Sequence, residues 1–189
     1  MRYTELEVSG VQLVEMEPFT DERGGFARSF DTAEFDAHGM RSGVEQCNVS
    51  WNHRAGTLRG LHLSLPGHPE SKFVRCLRGA IVDVAVDVRP ESPTYLQHVM
   101  VELTAESRQG LYLPPYLAHA YLTLTDDTEV FYMVSVPYAS GAEIGYRYDD
   151  PAFGLEWPRE VAALSEKDAS WPAFDTEGHA AVFAAGAPS

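Results

Sequence analysis

Val82-Asp83-Val84-Ala85-Val86-Asp87-Val88 decides the fold class of this chain. Its four valines fall on one side of an extended segment and Asp83, Ala85 and Asp87 on the other, a period of two that no helix sustains. The alternation predicts a strand with one wet face. Outward from it, similar runs occupy His98 to Leu103, Gln109 to Leu113, His119 to Thr125 and Glu129 to Val136. Turn text such as Arg89-Pro90-Glu91-Ser92-Pro93 and Thr125-Asp126-Asp127 divides them. Many short strands at close spacing predict an all-β sandwich or jelly roll. Helical text is confined to Asp31 to His38, which opens on Asp-Thr-Ala-Glu as a capping box, and Arg159 to Asp168. Residues 1–175 are expected to form one domain. Residues 176–189, rich in Ala, Gly and Pro, are expected to be a poorly ordered tail.

Charge narrows the function classes. The 189 residues carry 28 acidic against 14 basic side chains, a formal net charge of −14. Such a surface repels nucleic acid and anionic membranes, so an anionic ligand needs a local basic pocket. The N-terminus, MRYTELEVSG, has charges where a signal peptide has an apolar core, and no apolar run approaches membrane-spanning length. Cys47 and Cys76 form no CxxC motif and sit in strand text, which predicts reduced, buried thiols in a cytoplasmic protein.

The basic pocket has a candidate in Arg59 to Lys72, RGLHLSLPGHPESK. Lys72 is one of only two lysines, the other being Lys167. On the alternating segment Lys72-Phe73-Val74-Arg75-Cys76 it shares a face with Val74 and Cys76, so it is expected to point inward. A lone ammonium there is costly to desolvate unless it serves an oxyanion. His62 suits a general base, because its ordinary pKa lies near neutrality. Arg59 and His62 are three residues apart and should face opposite sides of an ideal strand; a bulge at Gly60 would bring them to one pocket. Tyr132 shares a face with Val130 and Val134. A two-His, one-carboxylate metal site from His62, Glu70 and His119 is conceivable. Serine at position 64 and a cation at Lys72 argue against it, and no metal is expected.

Taken together, Phe19-Thr20-Asp21-Glu22-Arg23-Gly24-Gly25-Phe26, Gln46-Cys47-Asn48, Gly56 to His62, Lys72 to Cys76, Asp83 to Arg89, Leu113 to His119 and Leu164-Ser165-Glu166-Lys167-Asp168 resemble the dTDP-4-dehydrorhamnose 3,5-epimerase family over roughly residues 1–170. The resemblance implies a cupin-like jelly roll, or double-stranded β-helix, that works without metal or other cofactor. It also implies a homodimer acting on dTDP-linked 4-keto-6-deoxy sugars. By this match His62 is the base, Asp168 the carboxylate that orients it, Lys72 the partner of the C4 oxygen and Tyr132 the proton donor. Arg23 and Arg59 match diphosphate contacts; Gln46, Asn48, His119, Glu143 and Lys167 match substrate-binding positions; Phe26 and Tyr138 are candidates to stack on the base. Arg28, Met133 and Pro137 depart from the family pattern, and the Gln46-Cys47-Asn48 segment is shifted by one residue, all expected near the substrate. A related 3,4-ketoisomerase and a non-catalytic sugar-nucleotide-binding cupin are the alternatives.

Overall fold

Residues 1–185 are described by a computed structural model. Two antiparallel sheets face each other. The six-stranded sheet runs β1 (Arg2–Glu5), β2 (Gln12–Glu15), β10 (Gly110–Leu113), β7 (Lys72–Arg78), β12 (Thr128–Val134) and β5 (Gln46–Asn52). The five-stranded sheet runs β13 (Glu143–Gly145), β6 (Leu58–Ser64), β11 (Leu117–Thr123), β8 (Ala80–Asp87) and β9 (His98–Thr104). A separate hairpin, β3 (Phe19–Asp21) and β4 (Gly24–Phe26), pairs with neither. The strand order, with neighbours far apart in sequence, is that of the expected cupin-like jelly roll, with three short helices: α1 (Thr32–Ala37), α2 (Glu166–Ala169) and α3 (Thr176–Ala185). Among the described residues no helix is long and apolar enough to cross a membrane.

The wet face expected on β8 is corrected by its position inside the sheet: β11 and β9 flank it, and both its faces are covered. Ala85 belongs to the core between the sheets, with Val74, Cys76, Leu111, Leu117 and Tyr121. Asp83 and Asp87 share that interior side and are fully buried. The valine side packs with Leu61, Leu63, Ala118 and Ala120 under Tyr146, Phe153, Phe174 and Phe183 of the C-terminal segment. A third cluster, Phe35 of α1 with Met40, Phe73 and Tyr112, covers the outside of the six-stranded sheet. Asp31 caps α1 by accepting from the Glu34 N–H, as its sequence predicts, whereas the Glu34 carboxylate turns instead to Tyr3 and the chain's amino group.

Three further expectations change. The tail is not poorly ordered from residue 176: Thr176–Ala185 form α3, whose His179 is buried among aromatic rings and whose Phe183 packs edge to face against Tyr116. Residues 186–189 lie outside the described residues. The helix expected over Arg159 to Asp168 shrinks to Glu166–Ala169, because residues 162 and 163 pair with the strand-like segment at Gly56 and Thr57. Of the two thiols, only Cys76 is buried; Cys47, on the outer side of edge strand β5, is exposed, and the two are unpaired.

Candidate active site

One open-ended cavity of about 380 Å³ lies between the sheets. The five-stranded sheet supplies Arg59, His62 and His119 to its wall; the six-stranded sheet supplies Asn48, Lys72 and Tyr132. The parity conflict between Arg59 and His62 resolves as a bulge. On β11 His119 and Tyr121 are two positions apart, whereas their partners on β6, His62 and Arg59, are three apart. The extra residue is Gly60, at φ +130, and a Cβ there would lie 2.6 Å from Ala120 Cα. Only glycine fits that backbone and that approach.

His62 is held from behind. Its Nε2 lies 2.7 Å from Asp168 Oδ1, and its Nδ1 is 3.4 Å from Glu143 Oε1 at the cavity wall. Asp168 sits in α2 because Ser165 caps that turn by accepting the Asp168 N–H, and Trp171 Nε1 also donates to Asp168 Oδ1. Burial pushes the Asp168 carboxyl up, but the hydrogen bond and charge of His62, with Ser165 and Trp171, outweigh it and hold the carboxyl below its ordinary value. A charged carboxylate fixed on one ring nitrogen sets the tautomer and favours a proton arriving on the other.

Lys72 points inward, as its parity requires, and pairs with Glu70 at 2.6 Å; Ser64 Oγ donates to the same carboxylate. Tyr132 faces the cavity from β12. Burial pushes its phenol above the ordinary value, the charges of Glu70 and Glu143 add to that, and Arg59 opposes it. The result is a phenol that keeps its proton at neutral pH and is able to give it up to a carbanion. Each candidate metal donor has another partner: His62 binds Asp168, His119 Nε2 binds Asp83 Oδ1 at 2.7 Å, and Glu70 binds Lys72. Among the described residues no cluster of three or more His, Cys, Asp or Glu is placed to hold an ion.

Gln46, Asn48, Tyr138, Glu143 and Lys167 line the same cavity, with Lys167 Nζ 3.3 Å from Glu143. The Tyr138 ring is exposed at the mouth, where its N–H donates to Gln46 Oε1. Arg23 and Phe26 do not join them: both sit by the β3–β4 hairpin, where the Phe26 residue is 77% exposed and, among the described residues, Arg23 pairs with Asp21. Two of the family departures are also away from the site. Met133 points out from the cavity and packs on the Phe35–Phe73 cluster, and exposed Arg28 pairs with Asp31. Ser50 and Tyr121 are cavity residues that the sequence reading missed, joined by a 2.6 Å hydrogen bond. Period-two continuation from Asn48 and His119 would have found them. Buried Asn52 was also missed: its Oδ1 accepts from Arg59 Nε at 2.9 Å and so fixes the guanidinium.

Comparison with known proteins places this geometry. Residues 5–176 match the family model described as dTDP-4-dehydrorhamnose 3,5-epimerase. A dTDP-4-dehydrorhamnose 3,5-epimerase of Sinorhizobium fredii is 41% identical over 175 residues, 92% of this chain and 90% of the relative. The rmlC epimerase of Mycobacterium tuberculosis superposes with a TM-score of 0.89 at 33% identity, covering all of this chain and 94% of that one. A 3'-monoepimerase of Streptomyces bikiniensis, solved with dTDP-quinovose, gives 0.80 at 33% identity over 95% of this chain and 98% of its own. With a matching model over most of its length and relatives of this similarity, the chain belongs to the dTDP-4-dehydrorhamnose 3,5-epimerase family.

Proposed function

We propose that this protein is an isomerase that inverts C3, C5 or both of a dTDP-linked 4-keto-6-deoxyhexose through an enolate. One observation carries the reading: His62 on one sheet, backed by Asp168 of α2, and a half-buried phenol on the opposite sheet face a single cavity, with an ammonium group beside them. A hydrogen next to a ketone becomes acidic only when the resulting carbanion delocalises onto the carbonyl oxygen. Inversion then needs a base on one ring face, an acid on the other and a cation at the oxygen.

His62 takes the carbon-bound proton on Nδ1, and Asp168 balances the imidazolium that forms. Lys72 turns from Glu70 toward the C4 oxygen as charge develops there. Tyr132 returns a proton from the opposite sheet, inverting the centre. Arg59, fixed by Asn52, meets the diphosphate with its planar donors. Gln46, Asn48, His119, Glu143 and Lys167 bind the remaining polar groups, and Tyr138 stacks on the base. No step calls for a metal. The acting species is a homodimer in the cytoplasm, and the hairpin's Arg23 and Phe26 complete the neighbouring protomer's site. Proton NMR of such a sugar nucleotide in heavy water tests the reading: deuterium enters at C3, C5 or both, with inversion at an exchanging carbon. A substrate that stays fully protonated and unchanged contradicts it.

A further inference from the structure

Two carboxylates, Asp83 and Asp87, lie four residues apart on the same interior side of β8, and they are treated in opposite ways. Both are fully buried. Asp87 is saturated: Arg89 donates to both of its oxygens, Ser92 and Thr94 add hydroxyl bonds to Oδ2, and the Arg89 N–H adds another to Oδ1. It is a structural carboxylate, tying the end of β8 to the following loop. Asp83 has a single partner, His119 Nε2, 2.7 Å from Oδ1; among the described residues no donor reaches Oδ2. A buried carboxylate with one bare oxygen is costly, and such groups persist where something other than stability depends on them.

What depends on Asp83 is the orientation of His119. The ring stands on β11 between His62, its cross-strand partner on β6, and Asp83, its diagonal neighbour on β8. With Nε2–H given to Asp83, Nδ1 is the nitrogen left for the cavity that His119 lines. The side chain is only 13% exposed, so little solvent competes for that position. A ring that also carries a proton on Nδ1 is a cation whose counter-charge lies directly behind it, so that the buried pair is neutral as a whole.

We propose that Asp83 is a positioning residue for His119: it fixes the ring so that Nδ1 faces the cavity, and its buried negative charge makes that nitrogen a hydrogen-bond donor to an anionic oxygen of the sugar nucleotide. The inference rests on the proposed epimerase reading and assigns a task to a carboxylate which that reading leaves unused. Asp83 acts only through His119.

The test compares wild type, Asp83→Asn, His119→Gln and the double variant in two assays, dTDP affinity and deuterium wash-in from heavy water into the 4-keto sugar nucleotide. Asparagine keeps the shape and the acceptor for Nε2–H but removes the charge. Asp83→Asn is therefore expected to melt within about 4 °C of wild type while losing on the order of tenfold to a hundredfold in one assay, less than outright removal of a donor costs. Weaker dTDP binding identifies a diphosphate oxygen as the partner. Unchanged dTDP binding with slower wash-in identifies the enolate oxygen. In the His119→Gln background the Asp83→Asn change is expected to add no further loss. Wild-type behaviour of folded Asp83→Asn in both assays overturns the proposal, as does a loss that persists in full without His119. Nitrogen-15 NMR of wild type supplies a check that needs no variant: a His119 Nε2 without a proton also overturns it. A wild type that exchanges no deuterium with any 4-keto sugar nucleotide instead overturns the epimerase reading.

Discussion

At the scale of single residues, the site depends on one glycine. Gly60 adds the residue that turns both Arg59 and His62 toward the cavity, and its backbone lies against β11 too closely for any Cβ. Gly60→Ala is therefore expected to cost about 3 kcal/mol or more, from a left-handed backbone combined with a clash against Ala120 and the His119 carbonyl. If the fold survives by shifting β6 one register, every side chain beyond the bulge changes face and His62 leaves the cavity. Thermal unfolding and wash-in activity measured on the same sample read both effects. A variant with wild-type stability and wild-type exchange removes the bulge from the account. The sequence was informative here because alternation gives each strand residue a face, and the three-residue spacing of Arg59 and His62 violated it. It was uninformative about Asp83, since an alternating Asp reads as solvent-facing until the neighbouring strands and the second sheet are known to cover it.

At the scale of elements, strand positions were legible and the C-terminal helix was not. Strand text carries its own period, and β8 to β12 lie within a few residues of where alternation puts them. The α3 segment, TEGHAAVF from Thr176 to Phe183, offers few large apolar side chains, and what anchors it is tertiary. His179 Nε2 donates to the Val88 carbonyl, Tyr146 bonds the other ring nitrogen, and Phe174 and Phe183 flank the ring. Burial pushes the His179 ring below its ordinary pKa, and the bond to Val88 offsets this only in part. The folded state thus favours the neutral ring. The unfolded chain binds a proton more readily below about pH 6.5, so the stabilisation is complete above that value and declines as the pH falls through the window beneath it. Amide hydrogen exchange over Thr176–Ala185, corrected for intrinsic rates, is expected to quicken between pH 7 and 5, and His179→Gln is expected to lose that dependence. Protection independent of pH in the wild type contradicts this role.

At the scale of the whole molecule, the single chain leaves apolar surface uncovered. Phe19 and Phe26 on the hairpin are 82% and 77% exposed, and Val49 and Trp51 stand out from edge strand β5. Exposed edges and large apolar groups of this kind are usually covered by a partner. Among the described residues the hairpin pairs with neither sheet, and Arg23 and Phe26, which matched a motif, fall outside this chain's own cavity. Sedimentation at micromolar concentration is expected to give twice the 20.9 kDa chain mass, and a monomer throughout contradicts the homodimer. In the proposed reaction two proton-transfer groups on opposed sheets share one enolate, and heavy-water NMR of the keto sugar nucleotide with His62→Ala and Tyr132→Phe separates their roles. His62→Ala is predicted to abolish deuterium entry, because no enolate forms. Tyr132→Phe is predicted to keep exchange on the His62 face while inversion falls by roughly 10²–10⁴-fold. Near-normal exchange by His62→Ala, or wild-type inversion by a folded Tyr132→Phe, would contradict the account.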